Sequence, residues 1–255
     1  MKRRYLIPLL VLIVATIVTT LMWPRMKAGR EPGIPPVFAA SLPQECSQVL
    51  LVLAPDDRSV SAELWMMQRQ TGGEWRTFDG PFSVTLGHKG LAWGTGEHSV
   101  TAPTGFRLKV EGDKCSPAGV FRLPFAFGMA PSAAGLLLPY TALTPDIIGV
   151  DDPNSRFYNQ IVDSKRVTRD WGSNEAMMRH DRLYQWGAFI SNNPAGVPGK
   201  GSCIFLHIWP GPGKGTAGCT AMSEEDIKVV LAWLDPKREP RLVQGLESWQ
   251  SANSL

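Results

Sequence analysis

The fold of this chain is decided by Gly201-Ser-Cys-Ile-Phe-Leu-His-Ile-Trp209, a strand-like stretch, and by Thr216-Ala-Gly-Cys-Thr-Ala-Met222, a tight glycine loop. The strand-like stretch carries His207 near its end, and the loop carries Cys219 twelve positions later. A histidine and a cysteine that a strand and its returning turn bring together are the parts of a thiol nucleophile with its base. The two stretches together favour acyl-transfer chemistry at a cysteine.

Two cysteines compete for the role of nucleophile. In a strand, period-2 alternation puts Cys203 and His207 on one face, about 13 Å apart at roughly 3.3 Å per residue. That distance is too long for a hydrogen bond between the two side chains. Cys219 can return to His207 because residues 210–215 are rich in turn formers. We therefore expect Cys219 to be the nucleophile and Cys203 to be a buried thiol.

A helix is expected after the cysteine loop. Ser223 and Asp226 begin it in a capping-box-like pattern, and Met222 and Ile227 stand at the positions of a hydrophobic staple. The apolar stripe that follows, before an Asp-Pro stop, consists of Ile227, Val230, Leu231 and Leu234. The positive end of this helix would favour a Cys219 thiolate.

Less specific interpretations remain open. A lone buried cysteine is usually a small hydrophobe, and a lone strand histidine is usually a core residue with its hydrogen bonds satisfied. A zinc site at Cys203, His207 and Cys219 is a further alternative, but it lacks a close ligand pair and a clear fourth ligand. The pattern therefore favours a nucleophile with its base, without a metal.

Beyond this local pattern, the sequence resembles a known family. His207 followed by Thr-Ala-Gly-Cys219 is similar to the signature of the L,D-transpeptidase catalytic domain, the YkuD-type fold. Three upstream segments are also similar to segments of that family, namely residues 87–94, residues 109–121 with their Ser-Pro-Ala-Gly-Val-Phe, and residues 151–159. The resemblance covers most of the chain, from about residue 48 to residue 243.

The resemblance implies a role for each residue of the motif. Cys219 would be the nucleophile, His207 its base, and the backbone carbonyl of Ile208 would orient the imidazole. Backbone amides near Gly218, Cys219 and Thr220 would hold the oxyanion of the tetrahedral intermediate. Gly218 would let the backbone turn so that these amides converge.

The substrate contacts are less well defined by the motif. Many members of the family carry histidine and arginine where this chain has Ala217 and Ala221, and the loop before the nucleophile is a few residues shorter here. We expect Trp93 and Trp209 to contact substrate, because they adjoin the glycine loops and the motif. Thr216, at the start of the cysteine loop, is a further candidate contact.

The activity that the resemblance implies is that of an exported cysteine L,D-transpeptidase acting on peptidoglycan stem peptides. Its cysteine thioester would be passed to an amine acceptor, a second stem peptide or another amine, in cell wall cross-linking or remodelling and thus in cell shape. No metal or organic cofactor is implied. One alternative is a hydrolase of the same fold, either an L,D-carboxypeptidase or an enzyme that cleaves a protein–peptidoglycan link. A non-catalytic wall-binding module is the other.

The amino-terminal segment predicts export. Basic residues at positions 2–4 precede an uncharged run over residues 5–23, which is long enough to span a bilayer. Residues 1–30 are therefore expected to be a signal or an uncleaved anchor in the cytoplasmic membrane, with the protein in the periplasm or cell envelope. The rest of the domain plan is a linker over 31–45, a catalytic domain over 46–245 and a tail over 246–255.

The charge balance argues against nucleic-acid binding. The formal net charge is +3, but six of the 26 basic residues lie within the first 30 positions. The rest of the chain has 20 basic and 23 acidic residues. Because no basic stripe is interleaved with aromatic residues, nucleic acid is not expected as a partner.

Short strand patterns separated by Pro/Gly turns predict a mainly β, β-sandwich-like domain with a few helices. The predicted strands cover residues 48–53, 62–67, 82–86, 106–110 and 187–190. Residues 79–81 are expected to form a turn, and residues 173–182 a helix-like segment. Cys46 and Cys115 could form a disulfide in an oxidising compartment, although sequence alone does not fix that pairing.

Overall fold

The computed structural model describes residues 32–251, except 71 and 134. Strands dominate these residues, which confirms the mainly β class. The strands are β1 (Gln48–Ala54), β2 (Ser61–Gln68), β3 (Arg76–Thr85), β4 (Leu91–Trp93), β5 (Ser116–Arg122), β6 (Ala126–Gly128), β7 (Tyr140–Ala142), β8 (Ile147–Val150), β9 (Gln160–Asp163), β10 (Asn174–Ala176), β11 (Trp186–Phe189), β12 (Phe205–Ile208), β13 (Thr220–Met222) and β14 (Arg241–Leu246). The helices of the described residues are α1 (Pro36–Ala39) and α2 (Glu224–Trp233), with 3₁₀ turns at Pro236–Arg238 and Glu247–Gln250.

Eleven strands form one sheet, in the order β4-β5-β14-β1-β2-β3-β13-β12-β11-β6-β7, and β10-β8-β9 form a second sheet. Strand β1 is buried along its whole length, as expected for an apolar strand that is covered on both faces. Strands β12 and β13 run parallel to each other, with Leu206 opposite Thr220 and His207 opposite Ala221. This register places the two motif stretches side by side.

Helix α2 forms as the sequence predicts. The Ser223 hydroxyl accepts a hydrogen bond of 3.0 Å from the Asp226 backbone N–H, and an N-cap of this kind is worth about 1 kcal/mol. Ile227, Val230 and Leu231 are buried on one side of the helix. This apolar stripe holds α2 against β11 and β12, so the helix supports the strand that carries the histidine.

Three local predictions are wrong. Residues 173–182 contain the short strand β10 and not a helix, because β10 pairs with β8 in the smaller sheet. Residues 106–110 form only an isolated bridge, in which Leu108 lies opposite Trp93. Residues 79–81 continue β3 through an irregularity in its pairing with β2, instead of forming a turn. In each case the pairing that a segment makes in the folded sheet, and not its local sequence signal, decides its structure.

The segments at both ends of the described chain belong to the domain. Phe38, in the predicted linker, is fully buried, and its ring centroid lies 5.6 Å from that of Trp93 and 5.8 Å from that of Trp249. Trp249 lies in the predicted tail and is also buried. Both predictions are corrected, because these segments complete one part of the core. The predicted anchor at residues 5–23 lies outside the described residues, and within the described ones no helix is long and apolar enough to cross a membrane.

The four cysteines are free thiols. Cys46 lies just before β1, and Cys115 lies just before β5. Because β14 is parallel to β1 and antiparallel to β5, the two cysteines are at opposite ends of these strands, roughly 30 Å apart. A disulfide requires Cα atoms within about 7 Å of each other, so the predicted pairing of Cys46 with Cys115 is wrong.

Candidate active site

His207 lies near the end of β12 with its side chain buried. Its Nδ1 lies 2.7 Å from the backbone carbonyl oxygen of Ile208. Because a carbonyl only accepts hydrogen bonds, Nδ1 carries the proton and Nε2 keeps a free lone pair. The ring of Tyr184 packs edge to face with the imidazole, with 5.2 Å between the ring centroids. The imidazole is thus held in the tautomer and orientation that a base requires.

Cys219 lies immediately before β13. Because Leu206 lies opposite Thr220, the same register places Cys219 opposite Phe205 on β12. Its Sγ accepts a hydrogen bond of 3.3 Å from the Phe205 N–H, and its S–H donates to the Cys203 carbonyl at 3.8 Å. Because side chains alternate along a strand, Phe205 and His207 share a face of β12. The register therefore brings the thiol to the neighbourhood of His207.

The loop that carries the thiol is held through the carbonyl oxygen of Cys219. This oxygen accepts a hydrogen bond of 2.8 Å from Ser116 Oγ and one of 2.6 Å from Thr216 Oγ1. Thr216 Oγ1 also accepts the Gly218 N–H at 3.1 Å. Gly218 has a φ of +151°, and a Cβ there would lie 3.1 Å from the Cys115 carbonyl. The backbone conformation of this turn therefore favours glycine, and the space beside it is tight.

A cavity of about 380 Å³ opens onto both His207 and Cys219. Its other lining residues come from the loop before β5, from just after the end of β8, from β10 and the turn after it, from the stretch before β12, and from the loop between β12 and β13. Five of the lining residues bear charged side chains, namely Lys109, Glu111, Asp151, Glu175 and Arg179. The candidate nucleophile and base thus share a cleft with a mixed but mainly acidic wall.

Burial sets the protonation states of the two central residues. It lowers the pKa of His207 to about 4, against the opposing effect of the Ile208 carbonyl. It also raises the pKa of the Cys219 thiol to about 12, and the Glu175 carboxylate adds to this effect. The Phe205 N–H and nearby cations oppose the shift without overcoming it. At neutral pH the resting pair is therefore a neutral thiol beside a neutral imidazole.

The expectation that a helix terminus favours a thiolate needs correction. Strand β13, Thr220–Met222, lies between Cys219 and the first residue of α2. The effect of a helix terminus falls off within about one turn, so α2 does not act directly on the thiol. The sulfur instead accepts a hydrogen bond from the Phe205 N–H.

Of the three carboxylates in the acidic wall, Glu111 and Glu175 accept hydrogen bonds from hydroxyl groups, whereas one oxygen of Asp151 has no partner among the described residues. Glu175 accepts a hydrogen bond from the Tyr184 hydroxyl and lies 3.7 Å from Arg179, and burial raises its pKa. Glu111 accepts hydrogen bonds from Ser202 Oγ, at 2.9 Å, and from a tyrosine hydroxyl. Asp151 Oδ1 is buried and, among the described residues, has no hydrogen-bond partner. An unpaired buried carboxylate oxygen is costly, which makes this position a candidate contact for a cationic ligand group.

Of the three predicted substrate contacts, Thr216, Trp209 and Trp93, the structure places only Thr216 at the cleft. Thr216 lines the cleft, but its hydroxyl is occupied by the cysteine loop. Trp209 lies beside a separate groove with Pro212 and Gly213. Trp93 is buried in an aromatic cluster and does not line the cleft, so its prediction as a substrate contact is wrong. Its ring packs against those of Phe38, His98, Phe106 and Trp249.

Thr220, predicted to contribute an oxyanion amide, is fully buried at the start of β13. Its hydroxyl donates a hydrogen bond of 2.8 Å to Gln244 Oε1, so the side chain fixes the strand and does not face a ligand. The Gly218 N–H, also predicted for the oxyanion, is bonded to Thr216 in the resting structure. Thr220 could therefore bind the oxyanion only through its backbone N–H and not through its side chain.

Sequence reasoning missed several residues of the site. Lys109, Glu175 and Tyr184 line the cleft, although none belongs to the His–Cys motif. Lys109, Ser116 and Asn159 lie within the upstream segments that carry the resemblance, so the sequence did single out those segments. Asn159 Oδ1 accepts the Cys203 N–H at 2.9 Å and so anchors the start of the motif stretch.

The site thus holds a buried thiol and an oriented imidazole at neighbouring parallel strands of a mainly β domain, which is the arrangement that a thiol nucleophile and its base require. The family model of the L,D-transpeptidase catalytic domain matches residues 70–243, and the chain belongs to this family. Both His207 and Cys219 fall within the match, and the family implies peptidoglycan as the substrate. No curated protein and no solved structure matches the chain significantly. In the described part of the chain, no group of three or more His, Cys, Asp or Glu side chains is arranged to hold a metal ion.

Proposed function

We propose that this protein is an exported L,D-transpeptidase that uses Cys219 and His207 to transfer peptidoglycan stem peptides to an amine acceptor. The observation that carries the proposal is the 2.7 Å contact between His207 Nδ1 and the Ile208 carbonyl. It leaves Nε2 as a free base at the cavity onto which Cys219 also opens. The family supplies the substrate class, and the site supplies the residues.

In the acylation step, Cys219 Sγ attacks the carbonyl carbon on the L-side of an L-to-D amide in the stem peptide. As the S–C bond forms, the S–H group gives up its hydrogen bond to the Cys203 carbonyl, and His207 Nε2 takes the thiol proton. Because both groups are neutral at rest, this transfer accompanies the attack and no thiolate precedes it. The C–N bond then breaks, and the proton passes from His207 to the leaving amine of a D-amino acid. The products are a thioester on Cys219 and the free D-amino acid.

The oxyanion formed in this step requires backbone donors close to the sulfur. The Gly218 N–H is bonded to Thr216 Oγ1 at 3.1 Å in the resting structure. The amides of Cys219 and Thr220 are therefore the donors that we assign to the oxyanion. The two hydroxyl bonds to the Cys219 carbonyl support this assignment, because they keep the loop from reorganising during the attack.

In the second step an amine replaces the thiolate. The acceptor nitrogen attacks the thioester carbon, its proton goes to His207, and the S–C bond breaks to regenerate the thiol. An amine acceptor arrives as an ammonium ion, and the carboxylates of Glu111, Asp151 and Glu175 favour its presence in the cleft. It releases one proton to solvent before it attacks, and the proton lost as the new C–N bond forms is the one that His207 takes and returns to the sulfur. This acidic wall favours transfer to an amine over hydrolysis, in which water would take the same place.

The amino-terminal segment adds export to the proposal. The uncharged run over residues 5–23 suits a membrane anchor or a signal, and peptidoglycan lies outside the cytoplasmic membrane. Cell fractionation of the full chain, beside a variant that lacks residues 5–23, tests this part. We expect the full chain in the envelope fraction and the variant in the cytoplasm, and a cytoplasmic full chain would contradict export.

The activity is tested with full-length protein in detergent and disaccharide-tetrapeptide muropeptides, with the products followed by mass spectrometry. We expect cross-linked dimers that have lost one D-alanine. Cys219→Ala should abolish them, and Cys203→Ala, which removes the other thiol of the cleft, should retain them. Monomers shortened by one residue would identify a hydrolase, and product formation by Cys219→Ala would contradict the assignment of the nucleophile.

A further inference from the structure

One cation of the cleft has no part in the chemistry described above. Lys109 lines the cavity, yet its side chain is only 3% exposed. A buried ammonium group requires hydrogen-bond acceptors around it, and its partners are therefore informative. Its Nζ donates to Asp113 Oδ1 at 2.6 Å and to the Val110 carbonyl at 3.2 Å. An ammonium group has three N–H donors, so one donor of Lys109 remains without an acceptor among the described residues.

The Asp113 carboxylate beside Lys109 also accepts hydrogen bonds from two backbone N–H groups. Asp113 Oδ1 accepts the Cys115 N–H at 2.8 Å, and its Oδ2 accepts the Val110 N–H at 2.9 Å. These backbone bonds fix Asp113 and spread its negative charge over several donors. Asp113 therefore orients the ammonium group without satisfying it fully.

The ammonium group of Lys109 lies beside the loop of the nucleophile. A Cβ on Gly218, the residue before Cys219, would lie 3.7 Å from Lys109 Nζ. The stem of the lysine passes close to Gly201, where a Cβ would lie 3.2 Å from Cε. The two glycines thus leave room for the side chain and for a ligand group in front of it. The remaining N–H donor lies at the cavity, beside the residue that precedes Cys219.

The other cation of the cleft is less available. Arg179 forms a bidentate ion pair with Asp181 and lies 3.7 Å from Glu175. Its charge is therefore compensated from two sides, and the rest of the charged lining is acidic. Among the described residues of the cleft, Lys109 is the cation that remains for an anionic group.

We propose that Lys109 forms a carboxylate-binding subsite, which holds the terminal carboxylate of the D-amino acid that leaves when Cys219 is acylated. The inference rests on the proposed function, because that function places a free carboxylate one residue beyond the scissile amide. Lys109 forms no covalent bond in this role. It aligns the amide with the thiol and restricts cleavage to the last residue of the stem peptide.

The test compares two donors that differ only at their carboxyl terminus: a disaccharide-tetrapeptide with a free carboxylate and the same compound as a carboxamide. Release of the terminal residue by full-length protein gives kcat/KM for each donor. We expect wild-type protein to prefer the carboxylate by about 30-fold, a typical effect of one buried charged hydrogen bond. Lys109→Met should reduce this preference to within about threefold, mainly through activity on the carboxylate donor. Lys109→Gln, which keeps a hydrogen bond to Asp113, should lose the preference in the same way.

The outcomes separate this inference from the proposed function. If either lysine variant keeps the wild-type preference, or if both donors lose activity equally, Lys109 does not bind the carboxylate. If wild-type protein processes neither donor, the proposed function fails, and the subsite is then tested by calorimetry in the Cys219→Ala background. There the carboxylate donor should bind at least tenfold more tightly than the carboxamide only when Lys109 is present. Equal binding of both donors would overturn the subsite.

Discussion

Ser116 Oγ donates a 2.8 Å hydrogen bond to the backbone carbonyl of Cys219, although the two residues are 103 positions apart in the sequence. The same hydroxyl accepts the Gly87 N–H at 2.9 Å. One side chain therefore connects the first residue of β5, the turn before β4 and the loop of the nucleophile. Because Thr216 holds the same carbonyl from the other side, the position of the thiol depends on both hydroxyls.

Replacing Ser116 with alanine removes this connection. We expect Ser116→Ala to lower kcat about tenfold while the protein still folds, because the loop of Cys219 loses one of its two side-chain anchors. The Gly87 N–H loses its acceptor as well, which costs about 1–3 kcal/mol of stability. Kinetics of muropeptide turnover and urea unfolding measure the two effects. Ser202→Ala, at another hydroxyl of the cleft, is the control, and an equal loss of kcat in that variant would contradict a specific role for Ser116.

The raised pKa of Cys219 predicts slow alkylation of the free protein. With a thiol pKa of about 12, only a very small fraction of Cys219 is thiolate at pH 7. We expect iodoacetamide to modify it more slowly than free cysteine, with a rate that still rises above pH 9. Peptide mapping of the alkylated protein follows Cys219 separately from the other thiols. A plateau in the rate below pH 8 would show a thiolate and would contradict the neutral resting pair.

The lowered pKa of His207 predicts a loss of stability in mild acid. In the unfolded chain the imidazole has its ordinary pKa of 6.5, but in the folded protein burial lowers this pKa to about 4. Below pH 6.5 the unfolded state therefore binds more protons, and the free energy of unfolding falls as the pH drops towards 4. Between pH 7.5 and pH 5 the contribution of this group is about 2 kcal/mol.

Urea unfolding at these two pH values measures this contribution. His207→Gln removes the titrating group and keeps a polar side chain of similar size. The variant should therefore lose less stability than wild-type protein over the same pH interval. An identical loss in both proteins would show that other groups cause the acid sensitivity. The comparison is required because the raised pKa of Glu175 acts with the opposite sign.

The unpartnered oxygen of Asp151 predicts a role in the choice of acceptor. We expect Asp151→Asn to lower the ratio of amine transfer to hydrolysis about tenfold, because the cleft loses a negative charge that holds an ammonium group. Mass spectrometry of dimers and shortened monomers gives this ratio directly. Asp152→Asn is the matched control, since Asp152 accepts backbone N–H bonds from Asn154 and Gly172 and does not line the cavity. A similar change in both variants would contradict a specific contact at Asp151.

The sequence sufficed for those features whose signal is local. His207 and Cys219 are separated by a short loop and stand in a recognisable pattern, and their strands pair directly. The capping pattern at Ser223 and the apolar stripe likewise predicted α2, because both lie within a few turns of one helix. The short strand patterns and the Pro/Gly turns between them, together with the family resemblance, predicted the mainly β fold.

What could not be predicted depends on contacts between distant segments. Glu175 and Tyr184 reach the cleft only because separate segments converge there, and neither lies in the sequence segments that carry the resemblance. Trp93 adjoins a glycine loop as the sequence shows, but the packing of Phe38 and Trp249, from opposite ends of the chain, buries it. The protonation states of His207 and Cys219 could not be predicted either, since they follow from burial and not from residue type.

The central claim is that Cys219 carries the acyl group, and intact-protein mass spectrometry after rapid acid quench of full-length protein with a tetrapeptide donor tests it directly. The account predicts a mass increase equal to the donor minus its terminal D-alanine. Peptide mapping should locate this increase on Cys219, and it should persist in Cys203→Ala and disappear in Cys219→Ala. A covalent adduct on any other residue, or turnover of the donor by Cys219→Ala, would contradict the account.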